Sequence, residues 1–351
     1  MNEIQRLSNK GLHEVSQVAP LLDGAATRSD WEVKRKQIQS VWMRTLGDAP
    51  LENMYDSEVL GEGAYTVLSE KEEEDHYCQY IRYETKDRDL VHAYLLLPRS
   101  VTASAPRPAV LALHPTTEVG KSDVALASGR DNRRYGLELA SRGYIVLAPD
   151  SITFGERIYE GEGPFQTAPF YKRFPSWSVV GKMLADHIRG VDVLASMKLV
   201  RPDRIGVIGH SLGGYNGWFL AGMDSRIRAV ASSCGFSMFQ GDPEPNRWGQ
   251  RDWFSHFAGL TEVMKQGDPP FEWHEIAALA APVPMFMWCG MRDAIFPHWL
   301  DNTLGLAELM KLYRGLGREA DFECWLGTEG HDFPPDLRER AYRFLDAHLL
   351  I

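Results

Sequence analysis

The chain has few cysteines and no long run of apolar residues. Its 351 residues include four cysteines, none of them in a Cys-x-x-Cys pair, so the sequence predicts neither a disulfide framework nor a cysteine metal site. No apolar run approaches the roughly 18 residues that would cross a membrane. The opening segment MNEIQRLSNKGLHE lacks the apolar core of a signal peptide. We therefore expect a cytoplasmic protein with no membrane partner.

Basic residues are scarce relative to acidic ones. The 38 Lys and Arg residues oppose 48 Asp and Glu residues, for a net charge of −10 at pH 7. A nucleic-acid partner is disfavoured, because such binding uses a basic face that neutralises phosphates. The apolar fraction of 44% and the charged fraction of 25% are typical of a globular protein with a sizeable core.

The chain has no internal repeat, but its pattern changes near residue 75. Residues 1–75 predict an N-terminal helical extension packed on the core. In that segment apolar residues recur at helical spacing from Trp31 to Leu46, and Gly47 ends the helix. The acidic run at 70–75 is interpreted as a solvated turn that leads into the main domain, residues 76–351.

The main domain alternates between short apolar runs and helical stretches. Eight runs are predicted as strands: QYIRYET, VHAYLLLP, PAVLALH, GYIVLAPD, RIGVIGH, IRAVASSC, VPMFMWCG and ADFECWLG. Continuous apolar strands that alternate with helices indicate a sheet covered on both faces. We therefore predict an α/β fold with a mostly parallel, eight-stranded sheet flanked by helices.

Two irregular segments, at about 151–178 and 235–275, follow strands directly and are rich in Pro, Gly and aromatic residues. Ligands of parallel sheets bind beyond the carboxyl ends of the strands, so these segments are predicted to form cap loops over a site. Their aromatic rings either pack the loops or line a pocket for an apolar or sugar group. Trp177, Phe236 and Trp253 are the candidate substrate-binding residues.

The stretch RIGVIGHSLGGYNG, residues 204–217, carries the clearest chemical signal. Ser211 lies in Gly-His-Ser-Leu-Gly between a predicted strand and a predicted helix, which is the context of a nucleophile elbow. Side chains two residues before or after such a serine would collide with neighbouring backbone, which accounts for Gly209 and Gly213. A chance match is the alternative, and the strand–turn–helix context favours a catalytic serine.

A serine nucleophile needs a base, and the base needs an acid that orients it. His331 lies between the last predicted strand and the last predicted helix and is the predicted base. The other candidates, His298 and His274, do not directly follow a strand. Asp293, just past the strand before last, is the predicted acid, because Asp332 is too close to His331 in sequence to hold its ring.

Several segments besides the serine motif resemble one known family: LALHPTTEVGKSD, YGLELASRGYIVLAPD, WSVVGKMLADHIRGVDVLASM, AVASSCGF and TEGHDFPP. They are similar to the dienelactone-hydrolase and acetyl-xylan-esterase-like branch of the α/β-hydrolases, from about residue 80 to the C-terminus. The resemblance implies an α/β-hydrolase fold and a serine esterase with no cofactor. No metal is expected, because the sequence shows no cluster of metal ligands, and short acyl or acetyl esters are the expected substrates. It also implies Ser211, Asp293 and His331 as the catalytic residues. Lactone or thioester hydrolysis by the same residues stays open, as does a homo-oligomer.

The oxyanion formed in such a reaction needs backbone N–H donors. One predicted donor is Leu212, at the start of the helix after the serine. Members of the resembled family usually have glycine after the histidine that ends the strand PAVLALH, whereas this chain has Pro115. Proline has no N–H, so the second donor is predicted to be the backbone N–H of Thr116, with Thr117 as the weaker choice.

The same loop supports a different hypothesis, that of a nucleotide-binding protein. Residues 115–122, PTTEVGKS, miss the phosphate-binding pattern Gly-x-x-x-x-Gly-Lys-Ser only at its first position, and Asp150 could hold magnesium. However, proline removes an N–H donor there, and Glu118 would place a negative charge in the phosphate cradle. Nucleotide binding is therefore the minor alternative, and Lys121 is expected instead to tether the loop through a carboxylate.

Overall fold

The computed structural model of the protein describes residues 18–22, 27–61, 63–244 and 246–350. Within them, nine strands form one sheet: β1 (Thr66–Glu72), β2 (His76–Glu84), β3 (Leu90–Pro98), β4 (Arg107–Leu113), β5 (Ile145–Pro149), β6 (Val200–His210), β7 (Ile227–Ser233), β8 (Met285–Gly290) and β9 (Phe322–Gly327). The α-helices of the described residues are α1 (Arg28–Leu46), α2 (Ser122–Ala125), α3 (Tyr135–Ser141), α4 (Ala168–Arg173), α5 (Val179–Ser196), α6 (Leu212–Met223), α7 (Leu260–Gln266), α8 (Trp273–Ala278), α9 (Trp299–Gly315) and α10 (Pro335–Leu349). None of these helices is long and apolar enough to span a membrane.

The strands lie in the order β1-β2-β3-β5-β4-β6-β7-β8-β9. The pairs from β5 through β4 to β9 are parallel, whereas β1, β2 and β3 add antiparallel strands at one edge. Strands β5, β7 and β8 are almost wholly buried, because helices cover both faces of the sheet, and this explains their continuous apolar runs. The predicted α/β class and the mostly parallel sheet are confirmed.

The predicted strand count of eight is wrong by one. The additional strand, Thr66–Glu72, pairs with β2 at the edge of the sheet, and every one of its residues is exposed. It therefore carries no apolar run that could signal a strand. Residues 70–72 of the acidic run belong to this strand, and the turn comes after them, where Glu73 N–H donates to His76 O at 2.9 Å.

Helix α1 packs its apolar face against helix α6. The ring of Trp42 is fully buried and lies 4.7 Å from the ring of Phe219 on α6. The helix ends at Gly47, whose φ of 83° puts it in the left-handed region, and a Cβ there would lie 2.0 Å from Ser176 O. Residues 1–17, 23–26 and 62 of the predicted extension lie outside the described residues.

Candidate active site

Ser211 occupies a strained turn between β6 and α6. Its φ of 55° and ψ of −117° lie in a region that residues with a Cβ rarely adopt. A Cβ at Gly209 would lie 2.2 Å from the carbonyl carbon of Gly213, and a Cβ at Gly213 would lie 2.0 Å from Leu113 O. The backbone at 209–213 is therefore packed so closely that glycine is required on both sides of the serine, and the strained turn aims Ser211 into a cavity.

His331 and Asp293 are hydrogen-bonded to each other. His331 Nδ1 lies 2.6 Å from Asp293 Oδ2, while Asp293 Oδ1 accepts from the N–H groups of Ile295 at 2.7 Å and Phe296 at 3.0 Å. Burial raises the pKa of the Asp293 carboxyl, but these three hydrogen bonds outweigh that effect and hold its pKa below the ordinary value. The ionised carboxylate keeps the proton of His331 on Nδ1, so Nε2 can accept a proton.

Ser211 and His331 line one cavity of about 370 Å³, together with Pro115 and Thr116. This volume lies within the range of small-molecule sites. The two side chains share the cavity without a direct hydrogen bond, as far as the described residues show. Such contacts commonly tighten only when substrate is bound.

Both predicted oxyanion donors are near Ser211. Leu212 is the first residue of α6, and the first N–H groups of a helix have no partner within it. Thr116 lines the cavity. In the part of the chain that the structure describes, neither of these two N–H groups donates a hydrogen bond to a protein acceptor.

The three candidate substrate-binding aromatics are separated by the fold. Trp253 lines the cavity that contains Ser211. Trp177 instead lines a different cavity, of about 390 Å³, beside α1, and its Nε1–H donates to Tyr55 Oη at 2.8 Å. Phe236 is 2% exposed and belongs to the core. Four aromatic residues that the sequence analysis did not select also line the cavity of Ser211: Tyr215, Trp248, Phe254 and Phe296.

The carboxylate of Asp332 is held by Arg133 and Asn132. Its Oδ1 accepts from Arg133 Nη1 at 2.5 Å and its Oδ2 accepts from Asn132 Nδ2 at 2.6 Å. The other two histidines considered from the sequence are also engaged elsewhere, since His298 Nε2 contacts Met238 O at 2.9 Å and His274 Nε2 contacts Ala19 O at 2.8 Å.

The lysine of the alternative phosphate cradle is held by carboxylates. Lys121 Nζ lies 2.6 Å from Asp150 Oδ2 and 2.5 Å from Glu156 Oε1. Asp150 Oδ1 also accepts from the backbone N–H of Lys121 at 2.8 Å. The two groups that would bind phosphate and magnesium are thus bonded to each other, and the expected tether of the loop is formed by Asp150 and Glu156.

One group of side chains in the described ranges has ligand atoms close enough together to hold a metal ion. It consists of Cys234, Asp293 and His331, with ligand atoms within 4.8 Å of one another. Two of the three are already joined by the hydrogen bond of 2.6 Å between Asp293 and His331. Burial raises the pKa of the Cys234 thiol to about 12, so the thiolate that would bind a metal is disfavoured.

Comparisons with known proteins agree with this fold. The model of the Alpha/beta hydrolase family matches residues 125–350, and the chain belongs to that family. It is 27% identical over 322 residues to "Putative hydrolase YtaP" of Bacillus subtilis (strain 168), covering 90% of this chain and 99% of that protein.

Solved esterase structures share the fold. A glucuronoyl esterase from Solibacter usitatus superposes with a TM-score of 0.69 at 17% identity, covering 95% of this chain and 98% of its own. Acetyl xylan esterase 1 from Thermoanaerobacterium sp. JW/SL YS485 gives a TM-score of 0.55 at 14% identity, with 90% and 97% covered. At these identities the likeness shows the α/β-hydrolase fold, as predicted.

Proposed function

We propose that the protein is a serine-dependent carboxylic ester hydrolase with Ser211 as nucleophile, His331 as base and Asp293 as the acid that orients the base. The observation that carries this proposal is the strained Ser211 on the same cavity as a histidine whose Nδ1 is bound to a buried carboxylate. The family and the esterases among the structural neighbours support it.

The chemistry follows from these positions. Ser211 Oγ attacks the ester carbonyl carbon, and its proton passes to His331 Nε2 as the new C–O bond forms. The carbonyl electron pair moves onto oxygen, and the N–H groups of Leu212 and Thr116 stabilise the oxyanion. Collapse of this intermediate expels the alcohol, which takes the proton from His331. Water then attacks the acyl-serine by the same route and releases the acid.

Short acyl or acetyl esters are the proposed substrates. The cavity of about 370 Å³ lies near the lower end of small-molecule sites, and a short acyl group fits such a space. One of the solved structures with this fold is an acetyl xylan esterase. The resemblance of the motif segments to that branch of the family supports the same substrate class.

The test is hydrolysis of p-nitrophenyl esters of increasing acyl length, with acetylated xylo-oligosaccharides, a lactone and a thioester run in parallel. Ser211→Ala should lower kcat by a factor on the order of 10⁶. Ser196→Ala is the matched control, because Ser196 Oγ donates to the nearby Val193 O at 2.7 Å and the cavity of Ser211 is lined by other residues, and it should stay within twofold of the original enzyme. A Ser211→Ala variant with undiminished kcat, or a phosphonate label on another residue, would refute the proposal.

A further inference from the structure

His114, which directly follows β4, is a buried histidine whose hydrogen bonds define its tautomer. Its side chain is 1% exposed, and its Nε2 lies 3.0 Å from the backbone nitrogen of Ser151. A backbone N–H can only donate, so Nε2 is the acceptor and the ring proton is on Nδ1. Nδ1 then donates to Pro115 O at 2.7 Å. Burial lowers the pKa of His114, which favours this neutral form.

The carbonyl held by His114 belongs to the same peptide group as the Thr116 N–H. The peptide bond from Pro115 to Thr116 precedes a residue other than proline, so it is trans. The C=O and N–H of a trans peptide point in opposite directions. Because the carbonyl points at the His114 ring, the Thr116 N–H points away from it.

Because residue 115 is proline, this one hydrogen bond is enough to fix the orientation of the peptide plane between Pro115 and Thr116. The proline ring holds φ near −65°, so ψ of Pro115 is the soft torsion that rotates the peptide plane. The hydrogen bond from His114 Nδ1 restrains that torsion. The histidine is itself held on its far side by Ser151 N–H, at the start of the first cap loop, and its ring packs 5.2 Å from that of Phe154.

We infer that His114 is a positioning residue for the oxyanion hole: it holds the Pro115 carbonyl and thereby aims the Thr116 N–H at the cavity of Ser211. The inference rests on the proposed function, because it requires an oxyanion formed at Ser211. His114 itself does not touch the substrate in this scheme. Its effect passes through one peptide group, so it should appear in kcat and not in KM.

Two substitutions separate the two hydrogen bonds of His114. Asparagine places an amide N–H₂ near the position of Nδ1 and can donate to Pro115 O, whereas glutamine reaches the position of Nε2 and can accept from Ser151. We expect His114→Asn to keep kcat within about fivefold. His114→Gln should lower kcat by roughly 10- to 100-fold with KM nearly unchanged, less than the 10²- to 10³-fold loss of a whole oxyanion donor.

A second readout reports the oxyanion directly. A trifluoromethyl ketone adds to a serine nucleophile and forms a tetrahedral oxyanion, so its inhibition constant should rise in His114→Gln by the same factor as kcat falls. In the Thr116→Pro background, where the N–H is already absent, His114→Gln should cause no further loss. Phe154→Leu alters the packing of the His114 ring while leaving both hydrogen bonds, and should retain kcat within about fivefold.

The inference is overturned if His114→Asn and His114→Gln lower kcat equally, or if His114→Gln keeps full kcat and inhibitor affinity. It is also overturned, without any variant that has to fold, if the ketone adduct of the unaltered enzyme places its oxyanion beyond about 3.5 Å from the Thr116 nitrogen. Failure of the proposed function looks different, because Ser211→Ala would then remain active. An inactive Ser211→Ala with an unaffected His114→Gln would remove only the inference.

Discussion

Replacing Lys121 by methionine should lower the free energy of unfolding, because it breaks the Lys121–Asp150 ion pair that holds the loop of Thr116. The Lys121 side chain is 2% exposed and that of Asp150 0% exposed, with the ammonium nitrogen 2.6 Å from the carboxylate. In Lys121→Met, Asp150 keeps hydrogen bonds from the backbone N–H groups of residue 121, at 2.8 Å, and of Glu156, at 3.1 Å. It loses the opposite charge, and an uncompensated buried charge costs about 3–5 kcal/mol.

Thermal unfolding measures this loss of stability. A domain of this size loses roughly 1.4 °C of Tm per kcal/mol, so Lys121→Met should unfold about 4–7 °C lower than the original protein. The double variant Lys121→Met/Asp150→Asn removes both charges. Its destabilisation should be smaller than the sum of the two single effects by about 2 kcal/mol, because residues in direct contact are not additive.

Glu156→Gln is the matched control for the buried pair. The Glu156 side chain contacts the same ammonium group but is 46% exposed, so its removal should cost at most about 1 kcal/mol. A Tm change below about 2 °C in Lys121→Met, or strictly additive effects in the double variant, would refute the argument that the Lys121–Asp150 ion pair holds this loop.

Three further substitutions test the site, each by ester hydrolysis kinetics. Asp293→Asn should lower kcat by roughly 10⁴, because the amide favours the wrong histidine tautomer. Its control, Asp332→Asn, should keep kcat within tenfold. A larger loss in Asp332→Asn than in Asp293→Asn would assign the acid to Asp332. Gly213→Ala places a Cβ 2.0 Å from a strand carbonyl oxygen and should lower kcat by at least about 10²-fold. Its control, Gly163→Ala, adds a Cβ with no atom within 4 Å and should leave kcat unchanged. A fully active Gly213→Ala would contradict the steric argument. Thr116→Pro should lower kcat by about 10²- to 10³-fold, because it deletes the backbone N–H. Thr116→Ala keeps that N–H and should lower kcat by less than tenfold. Equal losses in the two variants would mean that the side chain, not the N–H, is the donor.

The local pattern of the sequence was sufficient to predict the fold and the strained turn at Ser211. Buried strands such as Ile145–Pro149 are apolar on both faces, so a continuous apolar run identifies them. Gly209 and Gly213 report the crowded backbone around Ser211, because glycine is required where a Cβ would overlap other atoms. Strand β1 was not predicted from the sequence, because all of its residues are exposed and it has no buried apolar run. Its place in the sheet depends on backbone hydrogen bonds to β2, and the residue types of β1 do not indicate that pairing.

The partners of individual side chains were decided by tertiary structure alone. The sequence preferred Asp293 to Asp332 as the acid, but only the folded chain brings the former to His331 and the latter to Arg133. Trp177 and Trp253 have equal standing as loop aromatics, yet they line different cavities. The physical reason is that burial and backbone conformation are encoded in short stretches of sequence. A contact between side chains far apart in sequence depends on how the loops pack in three dimensions.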